Sequence, residues 1–140
     1  MTDATTYKDN IVTRYMADTS KFKDGDISPV IFMDSNSVPG SFYAEYIIYQ
    51  RAVEGSPPEH SHDDSDEILM FFGTDPERPH DLCGEIEVWI GGEKHVLTES
   101  AMIFVPKGVR HCPLYCRRAD RPIIMVSTAP AQYYSRDGTE

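Results

Sequence analysis

A chain of 140 residues has room for one domain with one well-filled core, and its 40% apolar residues, with eight Tyr, six Phe and one Trp, can supply that core. With 23 acids against 13 Lys plus Arg the formal charge is −10, which repels phosphate backbones and anionic bilayers and excludes nucleic acid as a leading partner. The polar opening MTDATTYKDNIVTRY has no leader pattern, no apolar run nears the ~20 residues that cross a bilayer, and Cys83, Cys112 and Cys116 fit free thiols better than a disulfide framework. The expectation is a cytoplasmic protein with neither membrane nor nucleic-acid partners.

In chain order, residues 1 to about 28 are polar and read as an arm laid against the body. SPVIFMDS at 28–35 follows as a short strand, closed by the turn formers NSVPG. SFYAEYIIYQRAV, 41–53, is dense in aromatic and β-branched residues with no Gly or Pro, a long-strand signal. After EGSPPE come His60 and His62, the apolar strand EILMFFG, and a polar loop TDPERPHDLCG. EIEVWI and KHVLT form a hairpin across Gly91, Gly92 and Glu93. AMIFVP, the turn KGVRH and a last strand RPIIMVSTA complete the series.

Seven or eight strands thus recur about every ten residues, with no helical periodicity between 36 and 128, so the fold class is all-β, a sandwich or barrel. Residues 1–35 are predicted as an N-terminal arm and edge strand, 36–130 as the barrel and 131–140 as a C-terminal tail. EILMFF and MIFV are apolar at both parities, so they need cover on both faces, and a homodimer is the economical cover.

His60 and His62, two apart on an extended chain, present both rings to one side. Glu67 follows after DDSD, a composition that lets the chain reverse. On this segment alone two readings stay open: a solvated acidic turn, or part of a metal site. A calcium loop fails, since Ile68 and Leu69 stand where oxygen ligands would continue.

Forty-odd residues on, FVPKGVRHCPLY supplies Pro106, Gly108 and His111. At this point the sequence resembles the cupin superfamily, whose first motif is G, five residues, HxH, three or four residues, E, six residues, G, and whose second is G, five residues, PxG, two residues, H, three residues, N. Gly55, His60, His62, Glu67 and Gly73 follow the first, and Pro106, Gly108 and His111 the second, over residues 40 to 128. Gly55 and Gly73 each stand one position nearer than the motif has them, Ser100 replaces its opening Gly and Tyr115 its closing Asn. The resemblance implies a double-stranded β-helix, or jelly-roll barrel, with His60, His62, Glu67 and His111 holding one divalent transition metal per chain. Fe or Mn is favoured, and Ni, Co or Zn also suits imidazole with carboxylate.

Three His and one carboxylate leave coordination positions open for a substrate. The expected function is a metal-dependent enzyme acting on a small oxygen-bearing molecule, first a non-haem Fe(II) or Mn(II) dioxygenase. A redox-neutral lyase, isomerase or decarboxylase and a non-catalytic small-molecule-binding cupin are the alternatives. By parity Leu69 and Phe71 face the pocket with Glu67, while Ile68, Met70 and Phe72 face a cover; Tyr43, Tyr46 and Arg51 are further pocket candidates. Tyr115 is the candidate catalytic side chain, sharing a face with His111. Cys112 is expected to point away from the ion as a small buried hydrophobe.

Overall fold

The computed structural model describes residues 7–22 and 24–137. Among the described residues there are eight strands: β1 (Ile27–Met33), β2 (Tyr43–Tyr49), β3 (Glu67–Phe72), β4 (Asp81–Ile90), β5 (Glu93–Glu99), β6 (Ala101–Val105), β7 (His111–Ala119) and β8 (Ile123–Ala129). All their pairings are antiparallel. One sheet has the order β1-β2-β8-β3-β6 and the other β5-β4-β7. The single helical element among the described residues is a short 3-10 turn, Lys8–Asn10.

The two-residue period of the sequence translates directly into the larger sheet. Along β3, Glu67, Leu69 and Phe71 are buried and Ile68, Met70 and Phe72 half-buried. Inward residues of this sheet, Ile47, Leu69 and Phe71, meet Leu82, Ile86, Val88, Leu114 and Cys116 of the smaller sheet in one continuous core. Register then sorts every neighbour. Glu45 lies opposite Ser127, and Ser127 opposite Leu69, on the inner face, while Tyr46, Val126 and Met70 share the outer one.

Two elements depart from the sequence expectation. The strand from Tyr43 stops at Tyr49 instead of running to Val53. The polar loop before Glu85 shortens, because pairing already begins at Asp81 across a register irregularity where Cys83 has φ 50°. Gly84 permits this close approach: a Cβ there would stand 2.3 Å from the Arg118 carbonyl oxygen.

Segments outside the sheets bridge to their edge strands, Tyr15 to β1 and Val53 to β7. Tyr15 bridges in parallel to Phe32, and its ring meets Phe22 and Phe32 at centroid distances of 5.6 and 5.3 Å. After β8 the chain crosses back over the barrel, where Ala131 O accepts from Tyr43 N–H and Asp137 pairs with Ser61.

Candidate metal centre and its cavity

Backbone pairing brings the histidines together. His60 and His111 exchange both main-chain hydrogen bonds, at 3.0 and 2.8 Å, and Ser61 does the same with Asp137 at 2.9 and 2.8 Å. The His60–His62 stretch is thus held between two partner segments, one carrying a third imidazole. The turn before His111 is fixed to the same place: Gly108, with φ 81°, donates its N–H to His62 O, and Lys107 N–H donates to Asp66 Oδ1 at 2.9 Å. Asp63 accepts from Ser61 Oγ and donates its N–H to Asp137 Oδ2. The acids between His62 and Glu67 shape the turn that delivers Glu67 to the start of β3.

All four residues are buried, none more than 7% exposed. Each imidazole uses Nδ1 on a backbone carbonyl: His60 on Pro58 at 2.7 Å, His62 on Ser135 at 2.5 Å, His111 on Val109 at 3.1 Å. A neutral ring that donates from Nδ1 leaves the Nε2 lone pair free. The three rings can offer donor atoms within 4.8 Å of one another. Glu67 Oε1 lies 3.1 Å from His62 Nε2 and 3.1 Å from His111 Nε2, close to the ~3 Å that separates two donors held at right angles about 2.1 Å from one ion.

His62 Nε2 is nevertheless left without a hydrogen-bond partner, standing 3.1 Å from an oxygen of Glu67 that cannot donate to its lone pair. A buried polar atom in that state demands an explanation, and an ion is the one the donor set fits. The electrostatics agree. Burial brings His60 down to about 4, outweighing the Pro58 carbonyl, so its ring is neutral at neutral pH. For Glu67 burial opposes ionisation, but the His111 and His62 rings outweigh it and hold the carboxyl at about 2. The set therefore offers a carboxylate and, at His60, a neutral nitrogen, the forms that bind a transition metal, while at His62 burial is outweighed by the Glu67 carboxylate, which favours a proton that an ion would have to displace.

A cavity of about 840 Å³ opens over this set, lined by His60, Glu67 and His111 at one end and by Ile47, Leu69 and Leu114 along its wall. His62 lies behind, against Tyr133, Tyr134 and Ser135. Of the residues singled out in the sequence, Leu69 lines the cavity, while Phe71 is fully buried in the core beside it. Tyr46 stands on the outer face opposite Val126, because the in-register pairing of β2 and β8 turns Glu45 inward instead. Arg51 is a surface residue paired with Asp26 at 2.7 Å. Tyr115 faces away from the cavity lining, with the Arg117 guanidinium 3.9 Å over its ring.

Cys112 lines the cavity beside His111, contrary to simple alternation. Between Val88/Leu114 and Ile90/His111 the β7 strand carries an extra residue, and Cys112 has φ 74°, so two successive side chains turn to the same side. Burial pushes its thiol up to about 12, so it stays protonated. Tyr43 lines the cavity too, and so do Glu45, Tyr134 and Arg136, which sequence reasoning missed. The parity Glu45 shares with Tyr43 was a signal that could have found it; the other two follow the last strand, where no periodicity points.

No protein-family model matches the chain, and no curated protein does. Solved structures do. An oxalate oxidase in complex with the substrate analogue glycolate is 16% identical with a TM-score of 0.60, covering 91% of this chain and 62% of its own. Peruvianin-I, a cysteine peptidase from Thevetia peruviana latex, is 14% identical with a TM-score of 0.63, covering 95% of this chain and 78% of its own. Oxalate decarboxylase from Lactobacillus farciminis, a formate complex, is 17% identical with a TM-score of 0.55 over 78% of this chain and 30% of its own. The chain thus spans about three fifths of the oxalate oxidase chain. An oxidase, a decarboxylase and a peptidase on one architecture mean that the likeness speaks of fold alone. The two antiparallel sheets, the HxH–E–H residues gathered at one end of the barrel and these neighbours agree that the chain has the cupin fold.

Proposed function

We propose that the chain is a metal-dependent enzyme acting on a small oxygen-bearing organic molecule, with Fe(II) or Mn(II) held by His60, His62, Glu67 and His111 and O2 as second substrate. The convergence of three backbone-anchored imidazoles on one carboxylate at the end of a large cavity supports this reading. A bound ion would supply Lewis-acid and one-electron chemistry there. The chain's own contribution is positional. Carbonyls of Pro58, Ser135 and Val109 fix ring orientation, Glu67 supplies the negative charge, and Ile47, Leu69 and Leu114 form a wall from which water is displaced when an apolar body enters. Oxygen-electrode and mass-spectrometric screening of carboxylic acids, diketones and phenols with the Fe(II) and Mn(II) forms tests it: O2 uptake matched to product is expected, and turnover in strict anoxia would exclude an oxygenase.

A redox-neutral lyase, isomerase or decarboxylase is the second reading, supported by a proton-transfer group inside the cavity. Glu45 accepts from the Tyr15 hydroxyl, and its Oε1 lies 3.2 Å from the Tyr43 hydroxyl, which is 2.8 Å from Ser127 Oγ. Anoxic turnover would select this reading. Saturable binding without product would select a binding protein.

The outer face of the larger sheet supports a homodimer. Its outward positions, Tyr46 and Ile48 on β2, Ile68, Met70 and Phe72 on β3, Met102 and Phe104 on β6, and Ile124 and Val126 on β8, carry no charge, and Met102 and Phe104 are 67% and 61% exposed. Two chains of net charge −10 can meet there without apposing like charges. Sedimentation is expected to show a dimer that F104E converts to monomer; a monomeric wild-type chain at 100 μM, roughly a hundredfold above a micromolar dissociation constant, would refute it.

A further inference from the structure

The C-terminal segment brings a cation to the cavity that the metal-centre reading does not use. Arg136 lines it with His60, Glu67, His111 and Tyr134 and is half-buried. Five other arginines, Arg51, Arg78, Arg110, Arg117 and Arg118, each sit within ion-pair distance of a carboxylate. Among the described residues Arg136 has no such carboxylate. Its one hydrogen bond runs from Nε to the Tyr134 hydroxyl at 2.5 Å. A guanidinium carries five N–H donors in a planar fork, so most of its donor capacity remains available to a ligand.

Its position is fixed from both sides. Ser135 accepts from His62 Nδ1 and Asp137 pairs with Ser61, so the residue between them is held over the metal-ligand segment. The ring of Tyr134 packs against Tyr43 at 4.8 Å and His62 at 5.3 Å, and the guanidinium lies 5.3 Å from that ring. A preorganised, partly desolvated fork without a counter-ion is a receptor for a planar anion. One guanidinium matches one negative charge, and Glu45 and Glu67 in the same cavity disfavour a doubly charged phosphate. The acids further along the lining do not quench it: Asp24 and Glu54 are exposed to screening water and Asp26 is paired with Arg51. Phe22, Ile27, Ile47, Leu69, Leu114 and Met125 offer the rest of a ligand an apolar wall.

We propose that the cavity takes a small monocarboxylic acid with an apolar body, its carboxylate received by the Arg136 guanidinium beside the His–Glu set. This deepens the metal-enzyme reading, on which it rests for the ligand's other oxygen, and assigns Arg136 as the residue that selects acids over neutral analogues.

The probes are matched pairs that keep the chelating oxygens and differ in charge: salicylate with salicylamide, and mandelate with mandelamide. Titration calorimetry is run on the metal-free chain and on the Zn(II)-loaded chain, with metal content measured separately. Each acid is expected to bind at least about tenfold tighter than its amide. Arg136→Gln should remove that preference and leave amide binding and metal content unchanged, with Arg136→Lys recovering part of it, since an ammonium keeps the charge but not the fork. Equal preference in wild type and Arg136→Gln, or no binding of either acid at 10 mM, would overturn the proposal. Absent metal uptake with the acid preference intact in the metal-free chain would instead overturn the metal reading alone.

Discussion

Replacement of His111 by Ala is expected to cut divalent-metal affinity by at least about 100-fold, leaving less than ~0.1 ion per chain after dialysis, in a protein that still folds. The asymmetry follows from what the residue does. Its backbone carries the pairing with His60, which Ala keeps, whereas its ring carries one of three convergent donors and one of the two contacts with Glu67. Without that ring Glu67 loses the first of the groups that hold its carboxyl low, so it ionises less readily. His62→Ala should behave alike, because its ring offers a buried Nε2 with no other partner. Elemental analysis with far-ultraviolet circular dichroism reads both quantities, and full metal occupancy in either variant would sink the four-residue assignment.

The largest effect on stability is expected at Phe71, which has no exposed surface and lies where the two sheets meet. Phe71→Ala should lower the unfolding free energy of the metal-free chain by about 3–5 kcal/mol, the range for truncating a core aromatic that leaves a void. At this chain length that is a fall of roughly 10–15 °C in Tm. Urea denaturation of the metal-free protein checks it, and a loss below ~1 kcal/mol would mean the site collapses around the smaller side chain. Metal-free chain is the proper reference, since a bound ion adds its own free energy to the folded state and would mask part of the loss.

How much of this was legible in the chain varies with the distance over which each feature is determined. The strand series and the inward face of β3 were readable because a two-residue period is local and a buried face enforces it. His60, His62, Glu67 and His111 were readable because their spacing and order match two motifs. Cys112 was not, since the bulge in β7 that turns it inward is decided by pairing with β4, and nothing in HCPLYC announces it. Tyr46 was misassigned in favour of its neighbour Glu45 for the same reason: alternation gives two faces, and only the register with β8 says which is inside. Tyr134 and Arg136 lay deepest. They follow the last strand, and their place in the cavity depends on Ser135 and Asp137 finding partners 73 and 76 positions away.

Those separations bear on the order of events during folding. His60 pairs with His111 across 51 positions, and the ring of His62 is oriented by a carbonyl 73 positions distant. In zinc fingers closely spaced ligands gather the ion and the ion gathers the chain. Here the fourth residue, His111, reaches the other three only through pairing across those long separations, so a bound ion would find its complete set of donors in an assembled barrel.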